Sequence, residues 1–224
     1  MADDFGLDLG SLKQMAAESA AAQVESGMVV GLGTGTTGEF VLLALARRIR
    51  EGLRITGVPT SEHTAARARD LGIPLTELTG PIDIAIDGAD EVARGALHLI
   101  KGRGGALTRE KIVAQGASRF LVVVDETKMV TRLGAAPVPV EVVPFGWQAT
   151  SRRMEALGAK PLRRDFVTDN GNYVLDCAFG FIESPATLAH ELDHVAGVVE
   201  HGLFIGMATE VHVGSPSGVQ ILSV

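Results

Sequence analysis

The fold is decided by the stretch GLGTGTTGEF (31–40), in which glycines and threonines follow a short apolar run. The run MVVGL (28–32) predicts a buried strand, and EFVLLALARRIRE (39–51) predicts a helix that ends at Gly52. A glycine-rich turn between a strand and a helix offers backbone N–H groups and a helix N-terminus to a phosphate. The stretch therefore predicts a phosphate-binding βα unit.

A dinucleotide is the first candidate for the owner of that phosphate. Gly33, Gly35 and Gly38 fit the pattern G-x-G-x-x-G between a strand and a helix. That site also needs an acidic residue about 20 positions on, at the end of the second strand, to hold a ribose hydroxyl. The second strand ends at 58–60 (VPT) without a carboxylate, so the sequence disfavours a nicotinamide-dependent oxidoreductase.

A nucleoside triphosphate is disfavoured as well, because no Lys-Ser or Lys-Thr pair closes the loop. What remains is a set of backbone N–H groups with the hydroxyls of Thr34, Thr36 and Thr37 at a helix N-terminus. These groups suit one compact phosphate, such as that of a small phosphorylated molecule. A plain strand-to-helix turn with threonine caps stays open as the alternative.

The first half of the chain alternates short apolar runs with amphipathic stretches, which is the pattern of parallel βα units. Ser11 and Gln14 predict a capping box for a first helix that ends near 26–27. Further strands are predicted at 53–58, 82–86, 97–100 and 119–124, with helices at 61–72 and from Thr108 to Ser118.

The pattern changes after Gly134 to that of a small α+β unit. Here we predict a strand at 138–143, helices at 147–158 and 185–195 (the second with Ser184 as N-cap), and a hairpin at 166–176 with a type I′ turn at Asn170-Gly171. The segments TEVHV and VQILSV at the end of the chain read as two further strands that rejoin the main sheet.

Composition restricts the function classes. The net charge of −7 argues against a nucleic-acid-binding surface, and no apolar stretch approaches the roughly 20 residues that a membrane span needs. A single cysteine, Cys177, excludes an internal disulfide and favours a reducing compartment. Without a basic segment followed by an apolar run near the N-terminus, we expect no signal peptide and a cytoplasmic protein.

Charged motifs follow the other predicted strands where those strands end. DGADE (87–91), KGRGG (101–105) and VVDETK (123–128) each include or follow the end of a predicted strand. Ligands of an open parallel sheet bind outside the carboxyl ends of its strands, so these motifs are expected to meet the threonine loop. Each charged residue alone is better explained as a turn or cap residue, and their convergence is what favours a site.

The combination of GLGTGTT, DGADE, KGRGGALTREK and TDNGN (168–172) closely resembles the type A ribose-5-phosphate isomerases, in order and spacing, from about Lys13 onward. The resemblance implies an aldose–ketose isomerase of the non-oxidative pentose phosphate pathway. Such an enzyme interconverts D-ribose 5-phosphate and D-ribulose 5-phosphate through an enediolate, without cofactor or metal, and usually works as a homodimer. It implies an α/β fold: a Rossmann-like domain with a mostly parallel sheet over 1–132, rejoined by strands from 207–224, and a small α+β lid over 133–206.

The resemblance also implies roles for individual residues. Glu110 corresponds to the catalytic base, Lys101 and the glycines after it to the group that stabilises the enediolate, and Asp87 or Asp90 to the group that assists opening of the sugar ring. The implied substrate contacts are Lys13, Thr34, Gly35, Thr36, Thr37, Asp87, Gly88, Ala89, Asp90, Lys101, Gly102, Arg103, Gly104 and Lys128.

Two points about these residues stay open in the sequence. Arg103 stands where the family pattern has a glycine, and an arginine at a positive φ angle would cost about 1 kcal/mol. Glu110 sits in the first turn of a helix, where the dipole lowers a carboxyl pKa, whereas burial would raise it.

The segment HELDH (190–194) matches the H-E-x-x-H motif of zinc proteases. On a helix, Leu188 and Leu192 define the apolar face, and His190 and His194 lie nearly opposite to it. We therefore expect solvent-facing histidines and no zinc. The remaining histidines, His63, His98, His201 and His212, show no metal-ligand spacing.

A second function class shares the same fold. A non-catalytic sugar-phosphate sensor could use the threonine loop and would not need a base at Glu110. Such a sensor usually carries an output module, and no DNA-binding motif precedes Lys13. The sequence therefore favours the isomerase.

Overall fold

A computed structural model describes residues 8–223 of the chain. In this range the α-helices are α1 (Leu9–Ala21), α2 (Thr36–Arg50), α3 (Glu62–Asp70), α4 (Leu107–Gly116), α5 (Trp147–Ala156) and α6 (Pro185–Asp193). The strands are β1 (Val29–Leu32), β2 (Thr56–Pro59), β3 (Ile82–Gly88), β4 (Glu91–Ala93), β5 (Leu99–Ile100), β6 (Ala117–Asp125), β7 (Met129–Val130), β8 (Val138–Val142), β9 (Lys160–Arg163), β10 (Tyr173–Ala178), β11 (Val198–His201), β12 (Leu203–Phe204), β13 (Glu210–Ser215) and β14 (Gly218–Ser223). None of these helices is long and apolar enough to cross a membrane.

The central sheet has six strands in the order β14-β13-β6-β3-β1-β2. All neighbours pair in parallel except β13 and β14, which form an antiparallel hairpin at one edge. The predicted α/β class with a mainly parallel sheet is therefore correct. The strand order changes direction between β1 and β3, which places the loops after these two strands side by side.

Two smaller sheets complete the fold. One is antiparallel, with the order β11-β8-β10-β9, and it contains strands from the predicted lid. The other, in the order β12-β5-β4-β7, joins the short strands around the charged motifs, so that β12 pairs with β5 just before Lys101. The division of the chain into domains at residues 132 and 206 stays a prediction.

The core lies on both faces of the central sheet, as the apolar runs of its strands require. On one face Ile84, Ile86 and Leu121 pack with the alanine-rich side of α1 and with α2. On the other face Ala85 and Val122 pack with the apolar side of α4 and with Phe204. Helix α4, which carries Glu110, is thus held directly against the strand that carries Asp87.

Three predicted helix starts are wrong, and one of them is that of α2, which begins at Thr36 instead of at 39. Helix α1 begins at Leu9, because the Asp8 carboxylate accepts a hydrogen bond from the Ser11 N–H at 2.8 Å, and it ends at Ala21 rather than near 26–27. Helix α4 begins at Leu107, so Thr108 is not its cap. Aspartate accepts the N–H groups of a first turn at least as well as serine, which is why the cap of α1 lies three residues earlier.

The predicted type I′ turn is also wrong. Strand β10 pairs with β9, which ends at Arg163, and the Gly171 N–H donates to the Thr168 carbonyl oxygen at 2.9 Å. The centre of the turn is therefore Asp169-Asn170, and only Gly171 takes a positive φ, of 81°. Ser184 does precede α6 as predicted, but its hydroxyl meets that of Thr187 at 2.7 Å and caps no backbone N–H.

Candidate active site

A cavity of about 430 Å³ opens at the carboxyl ends of β1, β3, β5 and β6. It collects every residue that the sequence analysis proposed for substrate contact or catalysis except Asp87, which is buried directly behind it. The lining residues are Lys13, Thr34, Gly35, Thr36, Thr37, Gly88, Ala89, Asp90, Lys101, Gly102, Arg103, Gly104, Glu110 and Lys128.

The glycines of the first loop serve the packing of this site. A Cβ atom on Gly33 would lie 2.2 Å from the Asp87 carboxylate oxygen, so only glycine lets Asp87 come this close to β1. Gly35 has a φ of 105°, which glycine adopts without strain, and Gly38 packs against the Gly33 carbonyl. The G-x-G-x-x-G spacing is therefore explained without a dinucleotide.

The three threonines of this loop do not play equal parts. The Thr34 hydroxyl lies 2.8 Å from that of Thr60 and 2.9 Å from those of Ser61 and Thr64. It is thus engaged in a hydroxyl cluster at the start of α3, and its part in holding the substrate phosphate stays a prediction. The second strand ends in this cluster instead of in an acid.

Thr36 and Thr37 form the first turn of α2 and line the cavity. Their hydroxyls make no side-chain hydrogen bond with any of the residues 8–223. Together with the N-terminus of α2, they are the part of the loop that can receive an anion.

A buried ion triad forms the inner wall of the cavity. The Lys101 ammonium lies 2.9 Å from Asp87 Oδ2 and 3.3 Å from Glu110 Oε2, and all three side chains are at most 5% exposed. Lys101 also donates to the Gly88 carbonyl oxygen. β3, the loop after β5 and α4 supply one member each, so the triad depends on how these three parts of the chain pack together.

The two carboxylates of the triad share one ammonium, and this determines their protonation. Burial, followed by the charge of Asp87, raises the pKa of Glu110 to about 8 against the opposing charge of Lys101. Burial would lower the pKa of Lys101, but the two carboxylates raise it above its ordinary value, so the amine stays charged. Burial and Asp87 thus move the pKa of Glu110 upward, opposite to the direction in which a helix dipole acts.

Asp87 is the member of the pair that stays ionised more readily. Burial raises its pKa too, but Lys101 and the N–H groups of Gly88 and Thr34 oppose that rise. Glu110 Oε2, by contrast, is a buried oxygen without a hydrogen-bond partner in the described part of the chain. Because Asp87 receives more donors, the proton that the two acids compete for goes to Glu110.

The second glycine loop is held by side chains on both sides. Asp90 Oδ2 accepts a hydrogen bond from the Arg103 N–H at 3.0 Å. Arg164, which pairs with Asp176 at 2.6 Å, donates to the Gly102 and Arg103 carbonyl oxygens. The positive φ angles fall on Gly102 and Gly105, and Arg103 has an ordinary backbone, so an arginine is accommodated there without strain.

Two further lysines line the cavity together with the threonine loop. Lys13 of α1 has its ammonium 4.0 Å from Asp125 Oδ2, a buried oxygen with no hydrogen-bond partner among residues 8–223. Lys128 follows β6 in a short 3-10 turn and lines the same cavity. Both cations therefore line the cavity together with Thr36 and Thr37 of α2.

The HELDH segment lies outside this site. His190 and His194 are exposed, and His194 Nδ1 donates a hydrogen bond to the His190 carbonyl oxygen at 2.7 Å, which leaves the two rings facing solvent as predicted. The structure does bring His201 together with Asp193 and Glu200, which the sequence spacing failed to indicate. The Lys111 ammonium contacts Glu200 at 2.5 Å, so this acidic cluster already holds a cation of the protein itself.

Sequence reasoning missed two residues that build the site from behind. Glu141 accepts a hydrogen bond from Thr168 of the turn at 168–172, and Arg164 holds the second glycine loop. A signal existed for Glu141, because a glutamate in the middle of the apolar strand VPVEVV must be buried with partners. No local signal marks Arg164, because the glycine-loop carbonyls to which it donates, those of Gly102 and Arg103, lie about 60 residues away in the sequence.

Comparison with known proteins identifies the family. The family model described as ribose 5-phosphate isomerase A (phosphoriboisomerase A) matches residues 56–218. The chain belongs to this family. The ribose-5-phosphate isomerase A of Gluconobacter oxydans is 55% identical, covering 96% of this chain and 97% of that relative.

Solved structures of the family share the fold over the same length. The isomerase A of Methanocaldococcus jannaschii has a TM-score of 0.93 at 40% identity, with 97% of this chain and 100% of that chain covered. A D-ribose-5-phosphate isomerase in complex with phospho-erythronic acid has a TM-score of 0.94 at 39% identity, with the same coverage. The resemblance inferred from the motifs is thereby confirmed.

Proposed function

We propose that this chain interconverts D-ribose 5-phosphate and D-ribulose 5-phosphate, with Glu110 as the base that moves the proton. Its relatives along nearly the whole length are ribose-5-phosphate isomerases. The observation on this chain that carries the proposal is the Lys101 ammonium held between the buried carboxylates of Asp87 and Glu110 at the wall of the cavity.

Aldose–ketose isomerisation transfers a proton between adjacent carbons. Glu110 in its ionised form removes the proton beside the carbonyl of the open-chain sugar, and it returns that proton to the neighbouring carbon. A base of this kind works best when its pKa lies near the working pH, because it must both take and release the proton. The pKa of about 8 at Glu110 meets this requirement. The proton moves only between substrate and base, so the reaction consumes no cofactor.

The enediolate that forms between the two transfers carries negative charge on oxygen. Lys101 supplies a fixed positive charge beside Glu110, and the glycine loop from Gly102 to Gly104 lines the same cavity. Groups oriented before the reaction stabilise such charge without reorganisation. Asp87 keeps Lys101 charged and in place through the 2.9 Å contact.

Ring opening needs a group that accepts a hydroxyl proton from the cyclic sugar, and of the two candidate aspartates we assign this role to Asp90. Asp87 is 4% exposed and its oxygens are occupied by Lys101 and backbone N–H groups. Asp90 lines the cavity, and the Arg103 N–H donates only to its Oδ2, so Oδ1 can accept a proton from the sugar. The role of Asp87 is then to hold Lys101.

The phosphate of the substrate is assigned to the part of the cavity that the first turn of α2 lines. Thr36 and Thr37 offer hydroxyls and N–H groups at the N-terminus of α2, and Lys13 and Lys128 offer positive charge. A family member has been solved with phospho-erythronic acid, which supports a sugar phosphate as the ligand of this cavity. The place of the chain in the non-oxidative pentose phosphate pathway follows from this substrate pair.

A homodimer in the cytoplasm is the assembly and location that we propose. Support for the dimer comes from the exposed apolar side chains between residues 143 and 199, among them Phe145, Leu162 and Phe181. Support for a reducing compartment comes from Cys177, a single thiol that is fully buried. Light scattering in solution tests the dimer, and a monomer at micromolar concentration would contradict it.

An assay with Glu110→Gln tests the function. The amide keeps the shape of the side chain but takes no proton, so turnover of ribose 5-phosphate should fall at least about 100-fold. Substrate binding, measured by calorimetry, should stay close to that of the wild type. Glu155→Gln, at an exposed position of α5, is the control and should keep full activity. Near-normal turnover in Glu110→Gln would remove this residue from the mechanism.

The same assay discriminates against the two alternatives. A non-catalytic sugar-phosphate sensor would bind ribose 5-phosphate without converting it, and the full-length relatives do not favour this reading. A zinc enzyme built on HELDH would lose activity in a chelator and regain it with zinc. We expect turnover by the wild type, and the same turnover after metal removal.

A further inference from the structure

Glu141 is a carboxylate buried in the middle of a strand. It lies in β8 with 0% exposure, and its neighbours Val140 and Val142 are equally buried. An ionised side chain in such a place needs partners that replace water. No ion pair with Glu141 is found among residues 8–223, so hydrogen bonds must meet this need.

Four side chains donate to the two oxygens of Glu141. Oε1 accepts from the Thr168 hydroxyl at 2.9 Å, from Asn172 Nδ2 at 2.9 Å and from Asn170 Nδ2 at 3.1 Å. Oε2 accepts from the hydroxyl of Thr108. The polar residues of the TDNGN turn thus converge on one buried carboxylate, and the fourth donor comes from α4.

Thr108 connects this carboxylate to the helix turn that carries Glu110. It is the second residue of α4, and Glu110 follows two positions later in the same first turn. The N-cap position of α4 is Ala106, whose side chain caps no N–H group. Helix termini frequently depend on such capping, so the first turn of α4 depends on contacts from outside the helix.

The other side of the TDNGN turn holds the residue between Thr108 and Glu110. Arg109 donates through Nε to Asn170 Oδ1 at 2.9 Å and through Nη2 to the Asp169 carbonyl oxygen at 3.1 Å. Of the two residues that precede Glu110, Thr108 is therefore held by Glu141 and Arg109 by the TDNGN turn. Glu141 itself holds the TDNGN turn, because its Oε1 accepts three hydrogen bonds from side chains of that turn.

We propose that Glu141 is a positioning residue for the catalytic base. Through Thr108 on one side and the TDNGN turn on the other, it holds the first turn of α4 so that Glu110 stays beside Lys101 and the substrate. This inference rests on the proposed function, because it assigns Glu141 a part in the reaction of Glu110. It predicts a loss of turnover from changes at residues that line no part of the cavity.

Thr108→Val is the most direct test, since valine keeps the shape of threonine and removes only the donor to Glu141. A displacement of a catalytic group by a fraction of an ångström lowers the rate more than it lowers binding, and we expect kcat to fall about tenfold. The KM for ribose 5-phosphate should stay within about twofold of the wild-type value because the substrate contacts are untouched. Thr108→Ser retains the hydroxyl and should restore kcat.

Thr150→Val is the matched control. Thr150 is a buried threonine of α5 whose hydroxyl donates to the Ala196 carbonyl, away from α4. It should lower the melting temperature as much as Thr108→Val does while leaving kcat unchanged. An equal loss of kcat in both variants would show a general effect of buried hydroxyls and would overturn the proposal.

A double-mutant cycle between Thr108→Val and Glu141→Gln completes the test. If both act through one bond, the double variant loses little more kcat than the more affected single variant. Additive losses, or a wild-type kcat in Thr108→Val, would refute the positioning role. If Glu141→Gln does not fold, the variants Thr108→Val, Thr108→Ser and Thr150→Val decide the positioning role without it. A wild-type protein without isomerase activity would instead refute the proposed function, and the role of Glu141 with it.

Discussion

Replacing Asp87 with asparagine should change the pH dependence of this enzyme in a defined direction. Glu110 must be ionised to remove a proton, so kcat/KM falls as the pH falls below the pKa of Glu110 in the free enzyme. In the wild type this fall should be centred near pH 8. The charge of Asp87 is one cause of that high value, and asparagine removes it while the ammonium of Lys101 remains.

The size of the change follows from the geometry of the triad. Asp87 Oδ2 lies 2.9 Å and Glu110 Oε2 lies 3.3 Å from the same Lys101 nitrogen, so the two oxygens are at most about 6 Å apart. Two charges at that separation interact by about 3 kcal/mol at an effective dielectric constant of about 20. This energy corresponds to about 2 pH units, by which the midpoint should move down.

The assay is the pH profile of kcat/KM for ribose 5-phosphate in the wild type, Asp87→Asn and a control. Asp83→Asn is the control, because Asp83 is an exposed residue of the same strand that accepts a bond from the Val29 N–H. Asp87→Asn should also lose activity at its optimum, since Lys101 loses a partner, but the midpoint is the decisive quantity. A midpoint that stays near 8, or that rises, would refute the electrostatic reasoning.

Three further predictions concern the loop and the base. Thr36→Ala and Thr37→Ala should each weaken binding of ribose 5-phosphate by roughly 0.5–1.5 kcal/mol, and inhibition by unphosphorylated ribose should hardly change. Equal losses for both ligands would place the phosphate elsewhere. Gly33→Ala should abolish activity and lower the melting temperature, because the new Cβ would meet a carboxylate oxygen at 2.2 Å, whereas Gly80→Ala, with open space around it, should do neither. Glu110→Gln should melt at a higher temperature than the wild type at pH 9. A carboxyl whose pKa is raised by folding contributes stability that is present below its unfolded pKa and lost as the pH rises through about 8. The difference in melting temperature between the two proteins should therefore vanish towards pH 4.5. A difference that is the same at both pH values would contradict this prediction.

The sequence by itself determined which segments meet at the site. DGADE and KGRGG follow apolar runs that end abruptly, and the threonine loop lies between a strand and a helix. Parallel strands linked by helices all point the same way, so their carboxyl ends must share one edge of the sheet. This is why local patterns were sufficient to predict that these motifs meet at one cavity, whereas its individual residues were implied by the family resemblance.

Helix starts and turn types were less predictable. Asp8, rather than Ser11, caps α1, and the turn at 168–171 is centred on Asp169-Asn170 instead of on Asn170-Gly171. Several residues near each of these points have suitable side chains, and their intrinsic preferences differ by less than the contacts of the folded chain supply. Local sequence therefore locates such features only to within a few residues.

Only the tertiary structure decided what the site residues can do. The pKa of Glu110 depends on its burial and on Asp87 and Lys101, which belong to other elements of the chain. Only the folded chain brings the Thr34 hydroxyl to those of Thr60, which follows β2, and Thr64, which lies in α3. Desolvation and charge–charge energies vary with distance in space and not with separation in sequence, so they arise only when the chain has folded.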